Sequence, residues 1–270
     1  MHIWHTALRS QWSAADVDWY KPHRITSRRF KDQLARALTP VLMGEQAALY
    51  SVSGLIPILG QKFEVESQFY LTTWAVDEAR HTELFTRFYE RIDREPMSIR
   101  RFPAGYLFQS SIVSKDPAEW LSGVLVSEVL AQLVMEELKR IDMDPVLSDI
   151  ADGILEDEAR HLGFNHIYLE DRFAALYGQD DAQEEAESYA QHLRQHLGGV
   201  LAGVSPILDA LDQELSDIGI DRYELLHNLS EKSKKRPNRS IKAGQRVAER
   251  RQVASQLAHA EAVGSASIDG

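Results

Sequence analysis

Asp77-Glu78-Ala79-Arg80-His81 and Asp157-Glu158-Ala159-Arg160-His161 are the same five residues, met twice in one chain. Each copy holds a Glu and a His three residues apart. On a helix that spacing sets both side chains on one face, one turn apart. A carboxylate and an imidazole so placed can bind a metal, and two such helices brought together can hold two metal ions. One Glu-x-x-His alone says little. The chain has 22 Glu and 10 His, and a third pair, Glu224-x-x-His227, lacks the Asp and Arg neighbours and reads as chance.

The motifs need helices, and the flanking pattern supplies them. A first long helix is expected from a cap at Thr26 or Ser27 to about Leu59, with Pro40 kinking or breaking its start. Leu38, Val41, Leu42, Glu45, Leu49 and Val52 form one apolar stripe along it, with Glu45 in the middle. A second helix is expected over about 62–93. Its inner face reads Phe63, Tyr70, Trp74, Glu78, His81, Phe85 and Phe88. Asp116-Pro117 and Asp144-Pro145 each place a cap before Pro at the first helical position. They open a third helix to about Ile141 and a fourth to about Tyr177. The third carries Glu128 in a stripe with Trp120, Val124, Leu133 and Met135.

Glu45 and Glu128 bring the stations to four. A charge in an apolar stripe is costly unless paired or bound to metal. From Glu45 to Glu78 is 33 residues, and from Glu128 to Glu158 is 30, each with a turn signal near the midpoint. In an antiparallel hairpin, roughly 15 residues out and 15 back return to the same height at ~1.5 Å per residue. Both hairpins thus level their Glu residues, giving four carboxylates and two imidazoles. The competing reading is a set of buried ion pairs with Arg80 and Arg160. Six ligand-type residues need more compensation than two Arg supply.

Composition bounds the chemistry. There is no Cys, so a metal must be held by carboxylates and imidazoles, which suits iron, manganese or zinc. Hydrophobic residues make up 44% of 270, enough for a full core. The absent Cys and signal pattern lead us to expect a cytoplasmic protein. The most apolar run, 41–59, is broken by Glu45, Gln46 and Pro57, so no membrane span is expected. Net charge is −11, unevenly spread. Residues 229–251 carry nine basic side chains and two acidic, which leaves 21 basic against 39 acidic elsewhere, a balance of −18. An acidic body argues against nucleic acid as a partner.

We expect one helical domain over residues 1–233. Its bundle covers about 27–178, and accessory helices cover about 181–203, 206–217 and 221–233. Residues 1–25, with Trp4, Trp12, Trp19 and Tyr20, read as an irregular arm whose aromatics dock on the body. Residues 95–116 read as a crossover with at most a short helix. Residues 234–270 read as a basic, then small and polar tail, partly disordered.

Over about 27–178 the chain resembles the ferritin-like dinuclear carboxylate proteins. The resemblance implies an all-α, ferritin-like four-helix bundle with one long crossover and extra C-terminal helices. It implies that Glu45 and His81 bind one metal, that Glu128 and His161 bind the other, and that Glu78 and Glu158 bridge. Two irons, or Mn with Fe, are the implied cofactor. The Asp-Glu-x-Arg-His form is similar to bacterial multicomponent monooxygenases and acyl-carrier-protein desaturases. It favours an oxygen-activating oxidase or oxygenase over iron storage. The partners implied are O2, a small-molecule or acyl substrate, an external electron donor and, by analogy, a second copy in a homodimer. Asp77 and Asp157 could each receive the His of the opposite helix, balanced by Arg80 and Arg160.

Trp74, four residues before Glu78, resembles a Trp of the ribonucleotide reductase small subunit that hydrogen-bonds near the site. Phe85 stands where that subunit carries its radical Tyr, a departure that argues against a standard tyrosyl-radical role; the alternative is a ferroxidase or radical partner subunit without that Tyr. Gln132 stands where the monooxygenases carry Thr, and with Glu136 and Phe85 it is a candidate pocket residue. Leu49, Leu125 and Phe164 are expected to complete the apolar lining. An arylamine N-oxygenase of this superfamily would add a His one turn before Glu158, where this chain has Ile154. His166, His192 and His196 are expected outside the ligand set.

Overall fold

Four long helices return to one another as two antiparallel hairpins. The computed structural model describes the backbone of residues 2–98, 100, 102–179 and 182–266, and side chains as far as residue 257. In chain order the helices are α1 (His2–Arg9), α2 (Arg28–Gln61), α3 (Val65–Arg91), α4 (Pro103–Ile112), α5 (Pro117–Ile141) and α6 (Pro145–Tyr177). They continue as α7 (Gln183–Ala202), α8 (Ser205–Asp209), α9 (Asp212–Asp217) and α10 (Arg222–Ala266). Among the described residues there is no strand. The chain is thus an all-α, ferritin-like bundle.

The caps lie where the sequence puts them. The Ser27 hydroxyl accepts from the Phe30 amide to start α2. Asp116 accepts from the amides of Ala118 and Glu119, and Asp144 from that of Val146. Both α5 and α6 then open on Pro, whose missing N–H costs nothing at a first turn. Pro40 lies inside α2 and does not break it. The hairpins are tied across by polar groups on apolar faces: Tyr89 Oη donates to Ala35 O at 2.7 Å, and Asn165 Nδ2 to Leu121 O at 2.6 Å. The crossover contains α4, whose Gln109 Nε2 donates to Ala47 O on α2 at 3.2 Å. Helices α2 and α5 match a membrane span in length and apolarity, and 72% of that window in α5 is buried inside the bundle.

Three expectations change. Phe63, expected on the inner face of the second helix, lies in the turn between α2 and α3 and is 88% exposed. The N-terminal arm is not wholly irregular, since His2–Arg9 is a helix. Trp12 and Trp19 dock, whereas Tyr20 stays 97% exposed. The largest change is at the C-terminus. Residues 234–266 are not a tail: α10 runs unbroken through them, with Pro237 inside it. Ser233, Ser240, Ile241, Gly244 and Ala248 line its buried side, and the helix packs along α6. The buried face is built from small residues, so a hydropathy reading sees only the basic outer face. At Gly244 the approach is backbone to backbone. A Cβ there would lie 2.6 Å from Glu170 O and 2.8 Å from Ala174 N. Gly244→Ala should therefore destabilise the protein by about 1–3 kcal/mol, despite alanine's better helix propensity. A thermal melt matching wild type would disprove that close approach.

Candidate metal centre

Glu45 on α2, Glu78 and His81 on α3, Glu128 on α5, and Glu158 and His161 on α6 meet at one height. All six are at most 3% exposed. Their atoms form two overlapping groups, Glu45/Glu78/His81/Glu158 and Glu78/Glu128/Glu158/His161, within which every ligand atom lies within 4.8 Å of the others. Glu78 and Glu158 belong to both. His81 Nδ1 lies 3.1 Å from Glu45 Oε2, and His161 Nδ1 lies 2.9 Å from Glu128 Oε2.

Each imidazole turns its other nitrogen to the opposite motif. His81 Nε2 donates to Asp157 Oδ2 at 3.0 Å, and His161 Nε2 to Asp77 Oδ2 at 3.3 Å. An ionised carboxylate can only accept, so Nε2 must carry the proton and Nδ1 faces the carboxylates. Arg80 donates to Asp77 at 2.5 Å and to Asp157 at 2.7 Å. Arg160 also reaches both acids. The two Asp-Arg pairs therefore form one bracket beneath the cluster. The N-terminal arm seals it: Gln11 Nε2 donates to Asp77 Oδ1 at 2.8 Å and Trp12 Nε1 to Asp157 Oδ2 at 2.9 Å. Gln11 and Trp12 were not foreseen from sequence. They have no spacing relation to the motifs, and only the tertiary path of the arm brings them there. Trp74 Nε1 donates to Glu78 Oε1 at 2.7 Å, and its ring stacks on His161 at 4.4 Å.

Electrostatics follow from crowding acids without water. Burial pushes Glu78 up to about 8, and the Glu128 and Glu45 charges add to it. Burial, with Glu128 beside it, also holds Glu158 well above the carboxylate range. Burial alone would lower both His residues. The surrounding carboxylates overcome it and hold His81 and His161 well above the ordinary value. For Asp157, burial is outweighed by His81 and Arg80, and its carboxyl sits well below the usual range. Glu45 Oε1, Glu78 Oε2 and Glu158 Oε2 are buried with no hydrogen-bond partner. Three orphaned carboxylate oxygens beside two imidazoles are a donor set that metal cations fit.

The open space beside the cluster is not where the sequence suggests. A cavity of about 290 Å³ runs along α2 and α5 under α4, and it reaches Glu45 and Glu128. Gly44, Ala47, Ala48 and Ala131 leave the space, and Ile207, Leu211 and Leu225 close its far side. Phe85, Gln132, Leu49, Leu125 and Phe164 do not line it. Phe85 is wholly buried, and Phe164 stacks on Tyr70 at 4.4 Å. Large aromatics thus fill the α3/α6 side, and small residues open the α2/α5 side. Glu136 pairs with Lys232 at 3.2 Å. His166 meets Ser240, and His192 meets Glu119, all apart from the cluster. Glu224 and His227 lie exposed on α10.

Several solved structures share the fold. An R2-like ligand-binding oxidase with an Mn/Fe cofactor is 19% identical, covers 88% of this chain and 91% of its own, and superposes with a TM-score of 0.66. One mutant of an R2-like ligand-binding oxidase with an Mn/Fe cofactor is 18% identical over 90% and 92%, with a TM-score of 0.67. Another, with an Fe/Fe cofactor, is 18% identical over 88% and 91%, with a TM-score of 0.66. No curated protein sequence matches the chain. A family model described as P-aminobenzoate N-oxygenase AurF matches residues 58–194, a span that holds both pentapeptides and Glu128 and leaves out Glu45. Ile154, at the place of the additional His expected of an arylamine N-oxygenase, is wholly buried. With half of its length matched and both Glu-x-x-His helices inside the match, the chain belongs to the P-aminobenzoate N-oxygenase AurF family and is an O2-activating dinuclear-metal oxidase of a small molecule.

Proposed function

We propose that this oxidase acts on a neutral, elongated, largely apolar substrate seated in the α2/α5 cavity. The observation that carries the reading is the cavity's lining. It ends on Glu45 and Glu128, and its walls contain no Lys, Arg or His. A carboxylate buried there would have no cationic partner, which is costly. A neutral amine, alcohol or acyl chain meets no such penalty, and Gln46, Gln109 and Ser127 offer it hydrogen bonds. In this reading Glu45 and His81 hold one metal, Glu128 and His161 the other, and Glu78 and Glu158 bridge.

Two irons, or manganese with iron, would supply the electron transfers that activate O2. The chain's own residues do the rest. Asp77 and Asp157 fix the imidazole tautomers. Trp74 holds one oxygen of Glu78. The apolar wall excludes water from the reacting face. Hydroxylation, desaturation and N-oxygenation each draw two electrons from outside, and a chain without Cys carries no iron–sulfur ligands of its own, so an external donor belongs to the proposal. So does a homodimer, with exposed Tyr50 and Tyr106 at the cavity rim, and exposed Leu107 beside Tyr106 on α4, as the face for a second copy. Sedimentation at rising concentration checks that part.

The test is O2 uptake by the two-metal protein with matched substrate pairs. Neutral amines or long-chain alcohols should stimulate uptake and yield an oxidised product by mass spectrometry. Preference for p-aminobenzoate over its neutral amide would overturn the proposal. Ala131 lies three residues after Glu128 and lines the cavity. Ala131→Trp should abolish substrate-stimulated uptake and leave metal content at wild-type level, as read by elemental analysis.

A further inference from the structure

We infer that the outward face of α10 is the docking surface for a small acidic electron-transfer protein. The inference rests on the preceding reading, because only an oxidase with an external donor needs such a surface. Lys235, Arg239, Lys242 and Arg246 follow at spacings of four, three and four, which puts them on one face of one helix. All four are exposed. Lys235 pairs with Glu231 at 3.0 Å. Arg239, Lys242 and Arg246 make no ion pair among the described residues. Their row is roughly 16 Å long at ~1.5 Å per residue. It stands on a body whose balance is otherwise −18.

The row also lies at the right height. Helices α6 and α10 run in the same direction, since His166 meets Ser240 at 2.7 Å and Gly244 abuts Glu170. The register that sets 240 beside 166 sets 235 beside 161. The row therefore begins level with His161 and lies on the far side of a single helix from α6.

Charge chooses among occupants. A long polyanion such as duplex DNA would run from the row onto the acidic body and be repelled. A membrane helix needs an apolar face beside the basic one. On α10 that face, with Leu229, Ile241 and Ala248, is buried in the protein. A compact acidic protein touches the row alone. Electron-transfer encounters are small and steered by charge, which matches a patch of this size. The balance is that of a donor: each docking delivers one electron, and two electrons with two protons reduce the second oxygen atom of O2 to water.

The probe is a plant-type [2Fe–2S] ferredoxin, an acidic one-electron carrier. Arg239→Glu, Lys242→Glu and Arg246→Glu are combined in one variant, and the same three are changed to Gln in another. Binding of oxidised ferredoxin and stopped-flow reduction of the metal-loaded oxidase by reduced ferredoxin are followed at low and high salt. In the Glu variant both should weaken about tenfold or more at low salt, and the difference should close at high salt. The Gln variant should fall between. Reduction by dithionite through a small mediator should be the same in wild type and both variants. Equal ferredoxin binding and reduction in wild type and the Glu variant would overturn the inference. So would tighter binding of wild type to duplex DNA or anionic phospholipid vesicles than to ferredoxin. Row-dependent ferredoxin binding in a chain that holds no metal would support the surface and sink the oxidase reading instead.

Discussion

Asp157→Ala should unfold the metal-free protein more readily than any other single change at the centre. Asp157 Oδ2 receives His81, Arg80 and Trp12 at 3.0, 2.7 and 2.9 Å, and Arg160 reaches its other oxygen. Its side chain is fully buried, and those of Arg80 and Arg160 are 5% and 11% exposed. Removing the acid takes from each of two guanidinium groups in the interior one of the two carboxylates it reaches. Losing one partner of a buried pair costs about 3–5 kcal/mol. In a chain of this size that is a fall of roughly 10 °C in melting temperature at ~2–4 °C per kcal/mol. The sign with pH is fixed by the depressed pKa of Asp157. Its stabilisation is present above the unfolded carboxyl value and is lost on acidification below it. The gap between variant and wild type should therefore close below about pH 4. Metal affinity should drop ~10–100-fold as well, because His81 loses the group that orients it. Urea melts of the metal-free proteins across pH would decide it, and an equal midpoint at pH 7 would refute the bracket.

Glu78→Gln should spare stability and cost more at the metal. Glu78 is wholly buried, and one of its oxygens has no partner. With its pKa near 8, the metal-free protein holds it mostly protonated at pH 7. Gln copies that form and can still accept from Trp74. The midpoint of unfolding at pH 7 should thus be unchanged, while two-metal binding is lost. In wild type, the raised Glu78, His81 and His161 contribute stability that is complete at low pH and disappears as pH climbs through their folded values. Asp77 and Asp157 fail only on the acid side. The metal-free chain should then be most stable in mildly acidic solution and weaken towards pH 8. Metal must displace those protons, so its affinity should rise over the same interval. Calorimetric titration in buffers of different ionisation enthalpy would count the protons released. Binding that releases none would contradict these assignments.

Much of this was legible in sequence because helix geometry turns spacing into position. The doubled pentapeptide, Glu45 and Glu128 needed only a period of 3.6 and two turns of known place. What was not legible depends on packing between elements distant in sequence. Nothing at Gln11 or Trp12 signals contact with Asp77 and Asp157. The cavity went to the α2/α5 side because Gly44, Ala47 and Ala131 are small, and absent volume leaves no periodic trace. Helix α10 hid its buried side in Ser, Gly and Ala. In each case the deciding quantity was a distance between backbones.

The crossed hydrogen bonds bind the two pentapeptides to a common fate. Each His is aimed by the Asp of the other copy, and both Arg residues serve both Asp residues. A change in one copy is felt at the opposite half of the centre, so paired substitutions at Asp77 and Asp157 should not add. Neither copy can drift alone. One turn upstream the constraint ends, and the copies differ as far as two residues can: Trp74 stacks on His161, and Ile154 occupies the matching place. Identity within the pentapeptides and divergence beside them divide the chain into a part that must vary as a unit and a part free to set the two halves of the centre apart.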